Sequence, residues 1–177
     1  MLLPIAGKPL ILHTVDRSLE ASTISRVIVA TDDDRIFDIV REAGVEAMMT
    51  SPEHASGSDR IAEVAEGLPA GSIVVNVQGD EPLIPAATID AAVQALLSNN
   101  AAQMATTFEH FDNASEVMDP NAVKIVTDAD GRAIYFSRSP IPFPREAAQK
   151  YGSLESALIA EPLLVGQFKK HTGLYVY

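Results

Sequence analysis

The stretch SIVVNVQGDEP, residues 72–82, decides how the rest of the chain is read. Ile73, Val74 and Val75, then Val77 beyond one polar residue, are β-branched and lie between Gly71 and Pro82. Such a run predicts a buried strand. The strand stops on Gln78, Gly79, Asp80 and Glu81. A strand that ends this way marks the ligand edge of an open α/β sheet, where ligands sit beyond the carboxyl ends of the strands. Gly79 has no side chain to hold a ligand off the backbone. Asp80 offers hard oxygen donors, which Mg²⁺ takes together with substrate phosphates. The plainer alternative makes Asp80 and Glu81 caps of the helix that follows.

Composition narrows the field. The 177 residues suffice for one sizeable core, so a single domain over 1–177 is expected. A formal net charge of -11 argues against general binding of nucleic acid or anionic membrane. An anionic substrate would need local positive charge or a metal ion. There are no cysteines, which excludes thiol catalysis, disulfides and thiolate metal sites. The opening MLLPIAGKPLILHTV lacks a basic start and is broken by Gly7, Lys8 and Pro9, unlike a signal peptide. No stretch has transmembrane length, and a cytoplasmic location is the default expectation.

Outward from the central stretch, strands and helices alternate. Upstream, Pro9 opens a helix that carries Leu10, Ile11 and Val15, with His13 read as a packed or half-exposed residue and not a ligand. Arg26 to Ala30 is a second buried strand, ending on Thr31, Asp32 and Asp33. Thr31 or Asp32 can cap the next helix, Arg35 to Ala43, which Gly44 stops. Val45 to Met49 is a third strand. Ser56, Gly57, Ser58, Asp59 and Arg60 then stand at the entry to a helix bearing Ile61, Val64 and Ala65. Free backbone N–H groups there can meet an anion, or Ser56 can simply cap the helix with Arg60 solvated.

Downstream, Ile84 to Leu97 reads as a helix, Gln103 to Thr107 as a strand, and Asn113 to Val117 as a short helix. Val123 to Thr127 and Arg132 to Phe136 flank an Asp-Gly turn and predict an antiparallel hairpin ending on Ser137 and Arg138. Glu146 to Val165 shows no sustained period and reads as a loop with a short helix. Lys169 to Tyr177 reads as a strand. The pattern predicts a Rossmann-like α/β fold with a mixed, mostly parallel sheet and an inserted hairpin. Neither G-x-G-x-x-G nor G-x-x-x-x-G-K-[ST] occurs.

Six segments in order, GKPLILHTVDR, RVIVATDDDRI, HASGSDRIAEV, IVVNVQGDEPLIP, DPNAVKIVTDADGRAIYFSRSPIPFPR and KHTGLYVY, cover nearly the whole chain. Together they resemble the cytidylyltransferases that activate 3-deoxy-manno-octulosonate (Kdo), with VQGDEP and AIYFSR the most specific pieces. The resemblance implies a sheet of the nucleotide-diphospho-sugar transferase type. It also implies transfer of CMP from CTP to the anomeric hydroxyl of Kdo, with pyrophosphate released, for lipopolysaccharide assembly.

The same resemblance supplies roles. Asp80 would ligand Mg²⁺, while Gln78 and Gly79 would face nucleotide and sugar. Ser56, Gly57 and Ser58 would meet the cytosine, with Arg60 close by. Arg138 would pair with the Kdo carboxylate, where a planar guanidinium fork is suited. His171 and Tyr175 would hydrogen-bond the sugar. His54 reads as a loop residue, and His110 as exposed. A homodimer is also implied, favoured by any exposed apolar surface.

The family's pattern also has a first strand with a basic glycine-containing loop of the form PAR-x-x-S-x-R-x-PGKP, and a further metal-binding aspartate after the region matched here. By this resemblance the chain starts just after that loop, Gly7, Lys8 and Pro9 match a second, later GKP of the family, and the arginine and lysine of the loop and the later aspartate are expected to be missing. Absence of the strand would leave two open sheet edges, and the 177 residues alone are expected to show little or no transferase activity. Two other readings stand beside this one. The first is a cytidylyltransferase for another acidic sugar of sialic-acid type, which the hairpin sequence argues against. The second is a catalytically dead nucleotide-binding or assembly subunit.

Overall fold

The computed structural model describes all residues, Met1–Tyr177. In chain order the first elements are strands β1 (Pro4–Ile5) and β2 (Lys8–Pro9), helix α1 (Leu10–Leu19), β3 (Ile28–Thr31) and α2 (Asp34–Glu42). Then come β4 (Glu46–Met49), α3 (Gly57–Ala65), β5 (Val75–Asn76), α4 (Ala86–Leu97), β6 (Ala105–His110) and α5 (Ala114–Met118). The last are β7 (Lys124–Thr127), β8 (Ala133–Ser137), α6 (Arg145–Tyr151), α7 (Leu154–Ala160), a 3₁₀ helix (Pro162–Gln167) and β9 (Lys169–Val176). They form two compact units, one of Met1–Ala105 with Gly173–Tyr177 and one of Thr106–Thr172.

In the first unit, β1 and β2 form a tight hairpin whose turn residues Ala6 and Gly7 both have left-handed backbone (φ 51° and 82°). Helix α1 turns Ile11, Leu12 and Val15 inward at helical spacing, and they pack with Val29 and Val40. Strands β3 and β4 pair in parallel from Ile28↔Glu46 to Thr31↔Met49. Asp33, rather than Thr31 or Asp32, caps α2 by accepting from the Arg35 N–H. Thr31 holds the turn instead, its hydroxyl accepting from the Asp33 N–H. A second core joins Ile89, Ala92 and Val93 of α4 to Leu174 and Val176 at the end of β9.

The central run is less regular than its sequence suggests. Only Val75 and Asn76 form strand, antiparallel to Val176 and Tyr175, and Val74 adds two backbone hydrogen bonds with Tyr177. Ile73, expected in the interior, is 40% exposed. The physical reason is that β5 has a strand partner on one side alone. Its other edge, like the free edge of β3, lines a cavity of about 630 Å³. An unpaired edge leaves backbone groups without a ladder, so the run does not extend as a regular strand.

In the second unit the expected hairpin is present. β7 and β8 pair from Lys124↔Ser137 to Val126↔Tyr135, with a bulge before Thr127↔Ala133. Asp128 shapes the turn by accepting from the N–H groups of Asp130 and Arg132, and Gly131 supplies the left-handed residue (φ 82°). β7 also pairs antiparallel with β9 at Lys124↔Lys170, and β6 pairs with β9. β3 and β4 form a two-stranded parallel sheet of their own, while in the five-stranded sheet the pairs of β5 with β9, β7 with β8 and β7 with β9 run antiparallel.

Residues 146–165, read as mostly loop, hold α6, α7 and the 3₁₀ helix instead. Gly152 (φ 83°) ends α6 and Ser153 caps α7, so two short helices replace one long period. Their inward side chains Leu158 and Val165 pack with Phe111, Val117 and Phe168.

Candidate active site

The carboxyl ends of the first unit's strands gather polar groups. Ser56 caps α3, its hydroxyl accepting from the Asp59 N–H and donating to the Asp59 carboxylate. Gly57 begins the helix, and a Cβ added there would lie 4.0 Å from the side-chain oxygen of Gln78. The amide of Gln78 and the amino end of α3 are therefore neighbours. The Ser58 hydroxyl is 3.5 Å from the Tyr177 hydroxyl. Gly57, Arg60, Gln78 and Gly79 all line the large cavity.

Asp80 is exposed and has neither an ion pair nor a hydrogen bond. The capping alternative for Asp80 and Glu81 does not hold, because α4 begins after Pro85 with no side-chain cap. No cluster of three or more metal-binding side chains exists in the chain. A single open carboxylate nevertheless fits Mg²⁺, an ion commonly held by one or two carboxylates together with phosphates.

Two residues have firmer structural duties than the sequence indicated. The Arg60 guanidinium is 3.0 Å from Asp32 and donates to the Thr50 hydroxyl at 2.5 Å. Thr50 in turn donates to the Thr31 carbonyl oxygen. Arg60 thus braces the ends of β3 and β4 and is not the solvated residue of the plainer reading. Gly79 is needed for packing. A Cβ there would come within 3.0 Å of Ile11 Cδ1 and of Met1 Sδ, and its carbonyl oxygen accepts from the Thr14 hydroxyl at 2.9 Å. Tyr175 is half-buried and stacks on Tyr177 with ring centroids 6.2 Å apart. Burial first, and Tyr177 second, raise its phenol pKa, so it stays protonated and keeps its donor.

Arg138 and His171 belong to the second unit. Arg138 is exposed, and its guanidinium donates to the Pro120 carbonyl oxygen at 2.9 Å. His171 is half-buried, with Nε2 2.7 Å from the Thr106 hydroxyl and its ring edge-on to Phe136. Burial pushes the imidazole pKa down, favouring the neutral ring.

Of the other histidines, His54 is not a bare loop residue. Its Nε2 meets the Glu63 carboxylate at 2.5 Å, a bond that lowers the pKa of Glu63. His13 bonds the Ile5 carbonyl oxygen, and His110 is exposed. The residue that sequence reading missed is Lys124, which is fully buried. Its signal was a lysine inside the apolar run Val123 to Val126.

A helix entry, a glutamine amide and an open carboxylate stand at the strand ends of an α/β unit, the edge at which open α/β sheets take their ligands. The comparisons with known proteins narrow the class of protein. The family model described as "Cytidylyltransferase" matches residues 1–176, and the chain belongs to this family. The 3-deoxy-manno-octulosonate cytidylyltransferase of Trichlorobacter lovleyi is 48% identical over 173 residues, 98% of this chain. That of Geobacter sulfurreducens is 47% identical over 173 residues. The chain spans 66% and 67% of the length of these two relatives. Among solved structures, "CMP:2-keto-3-deoxy-manno-octonic acid synthetase complexed with CTP" superposes with a TM-score of 0.84 at 36% identity, over 99% of this chain and 66% of that one.

Proposed function

We propose that this chain carries the CMP-transfer chemistry of a Kdo cytidylyltransferase. The anomeric hydroxyl oxygen of Kdo forms a bond to the α-phosphorus of CTP. The bond from that phosphorus to the bridging oxygen breaks, pyrophosphate leaves, and the hydroxyl proton passes to solvent. Phosphoryl-group chemistry of this type needs alignment and charge neutralisation more than covalent participation.

The observation that carries the reading is the 48% identity, along 98% of the chain, to a relative of that name. The labour divides by the roles that the family resemblance supplies. Ser56, Gly57 and Ser58 present the helix entry to the cytosine, beside the Gln78 amide. Asp80 would hold Mg²⁺, which would supply Lewis-acid charge to the phosphates. Arg138 pairs with the sugar carboxylate, and neutral His171 and protonated Tyr175 offer hydrogen bonds to its hydroxyls. The family member acts in the cytoplasm as a homodimer on this reading, and the exposed Ile134, Tyr135 and Phe136 of β8 provide apolar surface for association.

Calorimetric titration of CTP with and without Mg²⁺ tests the proposal, and pyrophosphate release on adding Kdo is expected to be slight from these 177 residues alone. Metal-dependent CTP binding is expected, with loss of about 100-fold or more in Asp80→Asn, the size that several kcal/mol of charge stabilisation implies. Asp80→Asn should leave folding stability within about 0.5 kcal/mol, since the side chain is exposed and unpartnered. CTP binding that ignores both the metal and residue 80 overturns the reading.

A further inference from the structure

Lys124 is fully buried, at 0% exposure, although it is a lysine. Its ammonium donates to the carbonyl oxygen of Asp119 at 2.7 Å and to that of Arg138 at 3.3 Å, and lies 5.7 Å from the centre of the Phe111 ring. None of these partners is an ion pair at the ammonium itself. Burying an ammonium among carbonyl dipoles and an aromatic ring is costly, and an apolar side chain of similar length would fill the space more cheaply.

The two carbonyl groups explain what the lysine does. Arg138 is placed by two points, its own backbone and the Pro120 carbonyl oxygen that its guanidinium reaches. Lys124 holds the first point directly through the Arg138 carbonyl. It holds the second through Asp119, the residue bonded to Pro120. One ammonium therefore ties together both anchors of the exposed guanidinium.

We propose that Lys124 is a positioning residue that aims Arg138 at the carboxylate of the acidic sugar. The inference rests on the proposed role of Arg138. It extends that role to a side chain that touches no substrate and sets selectivity for a carboxylate over an uncharged sugar.

The test uses Lys124→Met, which keeps length and removes the donors. Two readouts are taken on the full chain: the ¹⁵N side-chain NMR signals of Arg138, and the binding preference for Kdo over its methyl ester. In Lys124→Met the Arg138 signals should shift and sharpen as the side chain loosens. The preference should fall by about tenfold, the size expected for charged hydrogen bonds that are lost. CTP binding should be unchanged and thermal stability equal or higher. A merely structural lysine would instead lower stability and weaken both ligands together.

Because the chain has no cysteine, Lys124→Cys offers a single thiol. Aminoethylation of that thiol in denaturant, followed by refolding, rebuilds the ammonium and should restore the preference. An unchanged Arg138 signal, a retained preference in Lys124→Met, or no recovery after aminoethylation overturns the inference. A wild-type chain without any preference for the carboxylate overturns the role of Arg138 first, and this inference with it.

Discussion

Arg60 of α3 lies 3.0 Å from Asp32, the residue that follows β3. The same guanidinium reaches Thr50, just after β4. One side chain therefore ties helix α3 to the ends of the paired strands. Arg60→Met is expected to cost about 1 kcal/mol of stability, because the pair is partly exposed and solvent screens it, while the bond to buried Thr50 is lost outright. Urea denaturation measures this. CTP affinity should fall with it, since α3 loses its anchor.

Asp90 is a second polar brace, between α4 and the loop after α1. Its carboxylate accepts from the N–H and hydroxyl of both Ser22 and Thr23. The Thr23 hydroxyl bond is the largest influence, and the carboxyl pKa is lowered to about 2. A folded pKa below the unfolded value of about 3.9 stabilises the fold at higher pH. The contribution is complete above the unfolded value and is lost as pH falls from there through the folded value. Denaturation of wild type and Asp90→Asn between neutral pH and pH about 2 should show the stability gap closing in that window.

His171 titrates with the opposite chemistry and the same slope. Burial lowers its folded pKa, so the unfolded chain binds the extra proton more readily. Stability should decline as pH drops below the unfolded value of about 6.5 and level off once the folded ring is also protonated. His171→Gln, which can keep a bond to the Thr106 hydroxyl, should flatten this slope in an unfolding series across that range.

Gly79→Ala tests whether the glycine serves packing. The added methyl would sit 3.0 Å from Ile11 Cδ1 and Met1 Sδ, both ends of flexible side chains. Partial adjustment leaves an expected cost of about 1 kcal/mol. Thermal unfolding should show the loss even without ligand. Unchanged stability with weakened CTP binding would return Gly79 to a purely ligand-facing role.

Much of this protein was determined by local sequence. Apolar positions on one side placed α1, the Gly44 stop bounded α2, Pro85 marked the start of α4, Ser56 marked the cap of α3, and the Asp-Gly turn marked the β7–β8 hairpin. The run of motifs from GKP to KHTGLYVY indicated the family, whose model matches residues 1–176. These features depend on neighbours a few residues away, so a linear reading reaches them.

Other features depend on partners distant in sequence, and the tertiary structure alone decided them. The strand partner of β5 comes about a hundred residues later, which is why Ile73 to Val77 forms only a short, one-sided strand. Arg60 became a brace because the strand-end residues Asp32 and Thr50 converge on it. Lys124 became buried because folding brings two carbonyl groups and an aromatic ring to its ammonium. Burial and pairing of a charge are settled by which distant groups arrive to replace water, and that information is not local to the residue that carries the charge.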